Sequence, residues 1–431
     1  MKTHRFIFSL AALLLTALPR IAAADVPVAQ NSHGELNVGG MAQLLGFGQH
    51  LDDAVKNDNR VYLFLKEARL RLNGKYDDYS VNMELALGGE ETVAAPSPGV
   101  ALTLLDLSLN IPLHVFGDSY VKVGQFKVPY GRARLTYSGS SDFVDRSVMD
   151  PGFKVGRDVG IALVLRPGPL TVIGGVFTGG GRDAPIRFIP QTLGVPMLAL
   201  RAGVGNVDED PFALKATDFD PQTVKSAFFV NAIYTKDSLI GHSSVLNVKL
   251  ADKSLVLDPA WNPFIAKAPF DQGAYWQVGA DAALRMPVAG WAISAEAEFN
   301  WAGFVNTYGI IHMAGGRASV AAYRNGFEAA LRYAFLIPDA GQAAANGTPI
   351  TGNRDPIHEI TPALTWYING NHLKLVGDLP LLFNAPIFNE AGVGSYVATE
   401  VPQESSVLAK AGSFVAPQTV IEARLMLQGQ F

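Results

Sequence analysis

The sequence predicts a transmembrane, antiparallel, up-and-down β-barrel of about 16 strands, and three observations support it. The last twelve residues alternate strictly, with Ile421, Ala423, Leu425 and Leu427 on one parity, and they end on Phe431. Such a period of two indicates a strand whose faces meet different media. Short and long connections alternate along the chain. The longest uncharged stretch, 299–316, contains four glycines and several polar side chains, which argues against a helical membrane span.

The amino-terminal residues predict export. Lys2 and Arg5 precede an apolar run from Phe6 to Leu18, and the small residues Ala22 to Ala24 suit signal-peptidase cleavage. The expected organisation is a signal peptide at 1–24, a short periplasmic segment at 25–34 and a barrel at 35–431. The expected location is the outer membrane of a Gram-negative type of cell.

Composition limits the possible partners. The chain has 431 residues, no cysteine and a formal net charge of −5, which disfavours nucleic acid as a partner. The glycine pairs lack the lysine and helix of a phosphate loop, so no cofactor is expected. The expected partners are outer-membrane lipid and small anions or other small hydrophilic solutes.

Alternation of apolar and polar residues marks sixteen candidate strands, each close to the roughly 10 residues that a tilted membrane strand requires. Their spans are 36–47, 62–75, 79–88, 101–111, 119–126, 159–166, 170–178, 224–235, 243–251, 274–286, 290–301, 310–323, 325–336, 357–368, 372–379 and 417–431.

Connections between these strands alternate in length. Short ones lie at 76–78, 167–169, 287–289 and 369–371, and the longer ones at 127–158, 179–223, 252–273, 338–356 and 380–416. Short turns at one rim and long loops at the other are typical of outer-membrane barrels whose two termini are periplasmic.

Parity assigns faces to the strands. In 67–76, Leu70 and Leu72 are expected to face lipid, while Glu67, Arg69 and Arg71 face the lumen. In 291–301, the odd-numbered residues form an apolar stripe with a tryptophan at each end, opposite Ser294, Glu296, Glu298 and Asn300. Tryptophans at both ends suit the aromatic girdles of a membrane barrel.

Two short segments resemble a known family. The segment 122–132, KVGQFKVPYGR, is similar to the strand-end motif of the phosphate-selective porin O and P family, and 153–160, FKVGRDVG, matches its pattern of an arginine, an acid and a glycine entering the next strand. The resemblance implies a sixteen-stranded barrel, usually trimeric, with loops folded inward to narrow an anion-conducting pore.

The third long loop, 127–158, is therefore the expected constriction. Arginine and lysine there would replace the water that an anion loses and supply opposite charge. The predicted anion pathway consists of Lys127, Arg132, Arg134, Arg146, Lys154 and Arg157, continued along the wall by Arg69, Arg71 and Lys122. The expected function is passive diffusion of small hydrophilic solutes with a moderate preference for anions, phosphate among them, without catalysis.

A second interpretation assigns these charges to the wall itself. Bases and acids on the lumen parity are nearly balanced, so they could pair across strands without contacting a solute. This balance favours a general anion preference over selectivity for phosphate.

Two other functions stay open at this stage. One is a closed structural or adhesive barrel whose surface loops bind another molecule. The other is an outer-membrane hydrolase, which would need a nucleophile with a histidine partner. None of the histidines sits in a recognisable nucleophile motif such as Gly-x-Ser-x-Gly. Glu296 and Glu298 are better explained as part of an acidic row in the lumen than as the paired carboxylates of a glycosidase.

Overall fold

A computed structural model gives the fold. It describes residues 26–51, 58–89, 102–114, 117–153, 155–179, 181, 195–205, 207, 210–236, 274–306, 309–337, 356–389 and 413–431. The predicted signal peptide lies outside these residues. Within them, no helix is long and apolar enough to cross a bilayer.

Strands account for most of the described residues. They are β1 (Val26–Gln30), β2 (Gly34–Leu51), β3 (Asp58–Tyr76), β4 (Tyr79–Gly89), β5 (Thr103–Pro112), β6 (Tyr120–Lys127), β7 (Arg157–Leu165), β8 (Leu170–Phe177), β9 (Val195–Gly205), β10 (Lys225–Lys236), β11 (Ala274–Val288), β12 (Trp291–Asn306), β13 (Gly309–Arg324), β14 (Phe327–Ile337), β15 (Ile357–Asn369), β16 (Leu373–Asp378), β17 (Leu381–Asn389) and β18 (Ser413–Gln430).

These strands form one closed antiparallel sheet. Apart from β16 and β17, each pairs with its neighbour in sequence, and β18 pairs with β2 to close the barrel. Because β16 and β17 pair with successive parts of β15, they occupy one place in the wall, interrupted at Leu379 and Pro380. β1 pairs with the start of β2, beyond the part that pairs with β18. The wall therefore has sixteen strand positions, which confirms the predicted fold class.

Tight turns join the strands at one rim. Ala289 with Gly290 and Asn325 with Gly326 all have positive φ angles, as two-residue hairpin turns of the primed type require. The first and last wall strands also reach this rim, where Phe431 exchanges backbone hydrogen bonds with Gly40. This rim is the periplasmic end of a barrel with the predicted orientation.

Three strands were not predicted: β1, β9 and β17, the last of which lies inside the predicted long connection 380–416. β9 lies inside the predicted long connection 179–223, because its inward residues Met197 and Ala199 are apolar and hide the alternation. The predicted strand at 243–251 lies outside the described residues. Both edges of β10 are occupied, by β9 and β11. The segment 309–324, in which alternation is poor, is a complete strand paired on both edges.

The outer surface is an apolar belt. Phe299 and Trp301 expose about half of their surface, whereas Glu298 and Asn300, which alternate with them along the strand, are buried. Trp291 and Trp301 are ten residues apart, about 33 Å along the strand or about 25 Å along the membrane normal at a typical tilt. That height matches the apolar band of an outer-membrane barrel. The predicted faces of this strand are confirmed.

Candidate functional site

The lumen is narrowed by the connection between β6 and β7, residues 128–156, called here the inserted segment. Its two ends are joined by a hydrogen bond from the Val128 amide to the Gly156 carbonyl, 3.0 Å. It contains a short helix, α1 (Arg132–Leu135), and two 3-10 turns, Ser138–Ser140 and Asp150–Phe153. Most of its apolar side chains are buried against inward-facing residues of the wall. The expected constriction loop therefore does fold into the barrel.

Carboxylates of the wall hold the backbone of the inserted segment. The amide of Ala133 donates to Glu298 Oε2 (2.7 Å), and that of Val148 donates to Glu359 Oε2 (2.6 Å). A loop in the lumen has backbone donors without strand partners, and buried donors of this kind need acceptors. The acidic residues of the wall supply them, which accounts for part of the balance of charge seen in the sequence.

Wall donors bind carbonyl groups of the same segment. Lys66 Nζ donates to the Val144 carbonyl and Lys374 Nζ to the Ser141 carbonyl, each at 2.8 Å. On β18, Gln428 Nε2 donates to the Gly139 carbonyl, also at 2.8 Å. The inserted segment is thus fixed to strands on several sides of the barrel.

A second segment, 210–224, enters the lumen from the opposite rim, between β9 and β10. The backbones of Leu135 and Tyr137 bond to that of Leu214 at 3.1 and 3.0 Å, and Thr136 forms a parallel bridge with it. Thr217 of this segment also contacts Asp142 of the inserted segment. Segments from the two rims therefore meet inside the barrel, a contact that the sequence did not predict.

The carboxyl group of Asp142 is buried beside the hydroxyl of Thr217 (2.6 Å). Burial, with a further contribution from the nearby Glu296 carboxylate, raises the pKa of Asp142 to about 6, although the Thr217 hydrogen bond opposes that rise. The carboxyl group of Asp142 therefore holds its proton to a higher pH than an exposed aspartate does.

Three predicted cations lie within the inserted segment. Arg132 is fully buried, 3.8 Å from both Asp281 and Glu296. Arg134 pairs with Asp150. Arg146 donates through Nε to the Ala133 carbonyl, 3.2 Å, and its side chain is 28% exposed.

The predicted cations near the ends of the segment are engaged with the wall or with the segment itself. Arg157 contacts Glu84 (3.0 Å) and Asp106 (2.9 Å). Lys127 Nζ donates to the Leu135 carbonyl at 3.3 Å. Lys122 Nζ donates to Asn110 Oδ1 at 3.2 Å and lies over the rings of Phe126 and Phe212. Lys154 lies outside the described residues.

The two predicted wall arginines face the lumen. Arg69 pairs with Glu67 (2.9 Å) and Glu84 (3.1 Å), and Arg71 lies over the ring of Tyr137, 4.9 Å from its centre. The residues predicted to form the anion pathway thus include residues that pair with acids of the wall.

Two lumen arginines were not predicted. Arg201 lies on the missed strand β9 and binds Asp281 through both terminal nitrogens. Arg317 bridges Glu296 (3.2 Å) and Glu298 (3.3 Å) from β13, whose glycine pair obscured the parity. Because Arg285 and the Ala133 amide also bind these two glutamates, their oxygens are occupied by structural contacts.

Known proteins resemble this chain in part of its sequence and in its fold. The sequence model of the family phosphate-selective porin O and P matches residues 43–191, which include the inserted segment and both quoted motifs. The family resemblance is thereby confirmed. No curated protein matches the chain in sequence.

Solved structures share the barrel. An anion-selective porin from Comamonas acidovorans is 12% identical with a TM-score of 0.53, covering 92% of this chain and 100% of its own. The outer membrane channel DcaP of Acinetobacter baumannii is 11% identical (TM-score 0.51; 93% and 99% covered). OmpF of Salmonella typhi, in complex with daunomycin, is 12% identical (TM-score 0.51; 94% and 99% covered). At these identities the likeness concerns the fold.

Proposed function

We propose that this integral outer-membrane porin, whose residues 43–191 match the phosphate-selective porin O and P family, lets small hydrophilic solutes diffuse passively with a moderate preference for anions. The preference is assigned to the lumen-facing surface of the inserted segment. No catalytic step is part of the proposal.

One observation supports the sign of this preference. Within the inserted segment, the acids Asp142, Asp145 and Asp150 are buried, whereas Arg134 and Arg146 are partly exposed. Asp142 and Asp150 contact Thr217 and Arg134, and Asp145 is buried beside Lys66, so the charge presented to a solute is positive. An arginine is the side chain best suited to replace the water around an anion.

Reversal potentials across a salt gradient test the proposal. Wild-type channels in a planar bilayer should favour chloride over potassium, and Arg146→Gln should reduce that ratio about twofold or more, since a partly exposed charge in a pore is only partly screened. Arg134→Gln should act in the same direction. An unchanged reversal potential in both variants would contradict the assigned site while leaving the porin intact.

The remaining predicted cations are proposed to have a smaller role. Arg132, Arg157 and Arg69 are fixed by acids of the wall, so their charge is largely neutralised. Lys122, Lys127 and Arg71 are held by an amide oxygen, a carbonyl group and an aromatic ring, respectively, and they would contribute to the field of the pathway without binding a solute directly.

A closed barrel is the second candidate. The contact of Leu214 with Leu135 and Tyr137 supports it, because segments from both rims meet in the lumen. The same bilayer experiment separates the two functions. A porin gives ohmic current steps, whereas a barrel closed by these segments gives none.

A homotrimer in outer-membrane lipid is proposed from the family resemblance. Chemical cross-linking in native membranes, followed by electrophoresis without heating, should give a species about three times the mass of the heated chain. A single monomeric band after cross-linking would contradict the proposal.

A further inference from the structure

A small cavity lies between the inserted segment and the wall. Asp145, Arg146 and Ser147 line it from the segment, and Arg317 and Ser319 line it from β13. Its volume is about 40 Å³ and it is partly open. Because a single water needs about 10–15 Å³ on this scale, the cavity has room for a group of a few non-hydrogen atoms.

Two of the residues that line this cavity each carry a buried polar atom that has no hydrogen-bond partner among the described residues. These atoms are Oγ of Ser147, a residue that is 2% exposed, and Oδ2 of Asp145. The other carboxylate oxygen of Asp145 accepts a hydrogen bond from the Arg146 amide and lies 3.6 Å from Lys66 Nζ. Since buried polar groups are nearly always hydrogen-bonded, these two atoms point to a ligand that supplies both a donor and an acceptor.

Arg146 adds a cation to the same place. Its Nε atom is engaged with the Ala133 carbonyl, but no described residue bonds to its two terminal nitrogens. These two nitrogens form a fork that matches the two oxygens of a carboxylate. Arg317, by contrast, uses Nε and one terminal nitrogen on Glu298 and Glu296.

The charges around the cavity are balanced. Its lining includes three acids, Asp142, Asp145 and Glu296, and three arginines, Arg146, Arg317 and Arg332. A dianion such as hydrogen phosphate would meet no excess of positive charge there. A monoanion or a zwitterion that places its carboxylate on Arg146 and a donor on Asp145 fits better.

We propose that this cavity is a solute-binding subsite for small carboxylates with a hydrogen-bond donor on the adjacent carbon, namely 2-hydroxy acids and 2-amino acids. The carboxylate binds Arg146, the adjacent hydroxyl or ammonium donates to Asp145 Oδ2, and the Ser147 hydroxyl donates to a carboxylate oxygen. The subsite rests on the proposed porin function. Binding is weak, as passage through a channel requires.

Block of single-channel potassium chloride current tests this subsite. L-Lactate and L-serine should each block wild-type channels, and propionate, which has the carboxylate but no adjacent donor, should need about tenfold higher concentration, the loss expected for one hydrogen bond. Phosphate should block less than lactate at equal concentration. Propionate or phosphate blocking as strongly as lactate would overturn the proposal.

Variants locate the block. Ser147→Ala should weaken lactate block about tenfold, and Arg146→Gln should abolish it. Ser138→Ala is the matched control, because this hydroxyl lies on the same segment but bonds to Glu67 (2.9 Å). Unchanged lactate block in Ser147→Ala would reject the subsite even if conductance is normal. Absence of any conductance in the wild type would instead reject the porin function.

Discussion

The hydroxyl of Thr217 lies 2.6 Å from Oδ1 of Asp142, and on its other side it lies 2.7 Å from a carboxylate oxygen of Glu328. A hydroxyl has one proton to donate, so both short contacts are hydrogen bonds only when one carboxyl group is protonated and donates to the hydroxyl oxygen. Thr217 belongs to the segment from the turn-bearing rim and Asp142 to the segment from the other rim. The two contacts together therefore depend on a bound proton.

The first prediction concerns pH. The pKa of Asp142 is raised from 3.8 to about 6, so the folded protein binds more protons than the unfolded chain between these values. Stability from this group is present at low pH and is lost as pH rises from about 4 through about 6, by on the order of 3 kcal/mol. Unfolding in urea from lipid vesicles should show this loss in the wild type relative to Asp142→Asn.

Asp218→Asn is the control for that prediction. Asp218 lies on the same segment. Partial burial tends to raise the pKa of Asp218, but the hydrogen bond from Lys225 outweighs this effect, so the pKa is lowered. Its contribution should therefore have the opposite sign, increasing with pH. If the wild type and Asp142→Asn lose stability equally between pH 4 and 7, the proton at the Thr217 contact does not contribute to the pH dependence of stability.

Glu359 should be essential for seating the inserted segment. Its Oε2 accepts from the Val148 amide and its Oε1 from Arg332 (2.6 Å), all in buried surroundings. Glu359→Gln leaves Arg332 charged and buried without a counter-ion, so we expect a loss of about 3–5 kcal/mol in the free energy of unfolding. Glu35→Gln, at an exposed position, should change it by less than about 0.5 kcal/mol.

Gly131 permits the inserted segment to approach the wall. Its φ is +69°, and a Cβ there would lie 2.6 Å from Oε1 of Glu298. We expect Gly131→Ala to cost about 1–3 kcal/mol and to alter channel conductance by moving α1. Gly168→Ala is the matched control, since Gly168 has a similar φ of +65° but no atom within 4 Å of the added Cβ. Equal losses would show that backbone strain alone is responsible.

The membrane belt gives a prediction that depends only on position. Ala297 faces outward midway between Trp291 and Trp301, so Ala297→Arg should destabilise the barrel in lipid by about 2–4 kcal/mol. Val288→Arg, beside a turn at the rim, should cost at most about 1 kcal/mol. The comparison uses urea unfolding from vesicles. Similar losses at both positions would contradict the assigned depth.

Strand faces were predictable because a period of two is a local property of the sequence. Glu296, Glu298 and Asn300 could be placed in the lumen from parity alone, and the structure agrees. β9 escaped notice because its inward residues, apart from Arg201, are as apolar as its outward ones. They are apolar because they pack in the cluster that contains residues of the inserted segment.

The roles of the charged residues were not predictable in the same way. Glu298 meets the Ala133 amide across 165 residues, and Asp378 meets the Val144 amide across 234. Single-residue patterns hold no information about such partners. The location of the constriction could be inferred from the sequence. Which of its arginines pair with acids and which are open to a solute could not.

Closure of the sheet by β18 has a consequence for biogenesis. Gln428, one of the final residues, holds the Gly139 carbonyl and also binds Gln43 on the first wall strand. A partly assembled chain in which β18 has not yet paired with β2 would also lack one of the contacts that hold the inserted segment in the lumen. Nascent barrels should thus be leakier than finished ones, so that completing the wall and restricting passage are achieved in a single event.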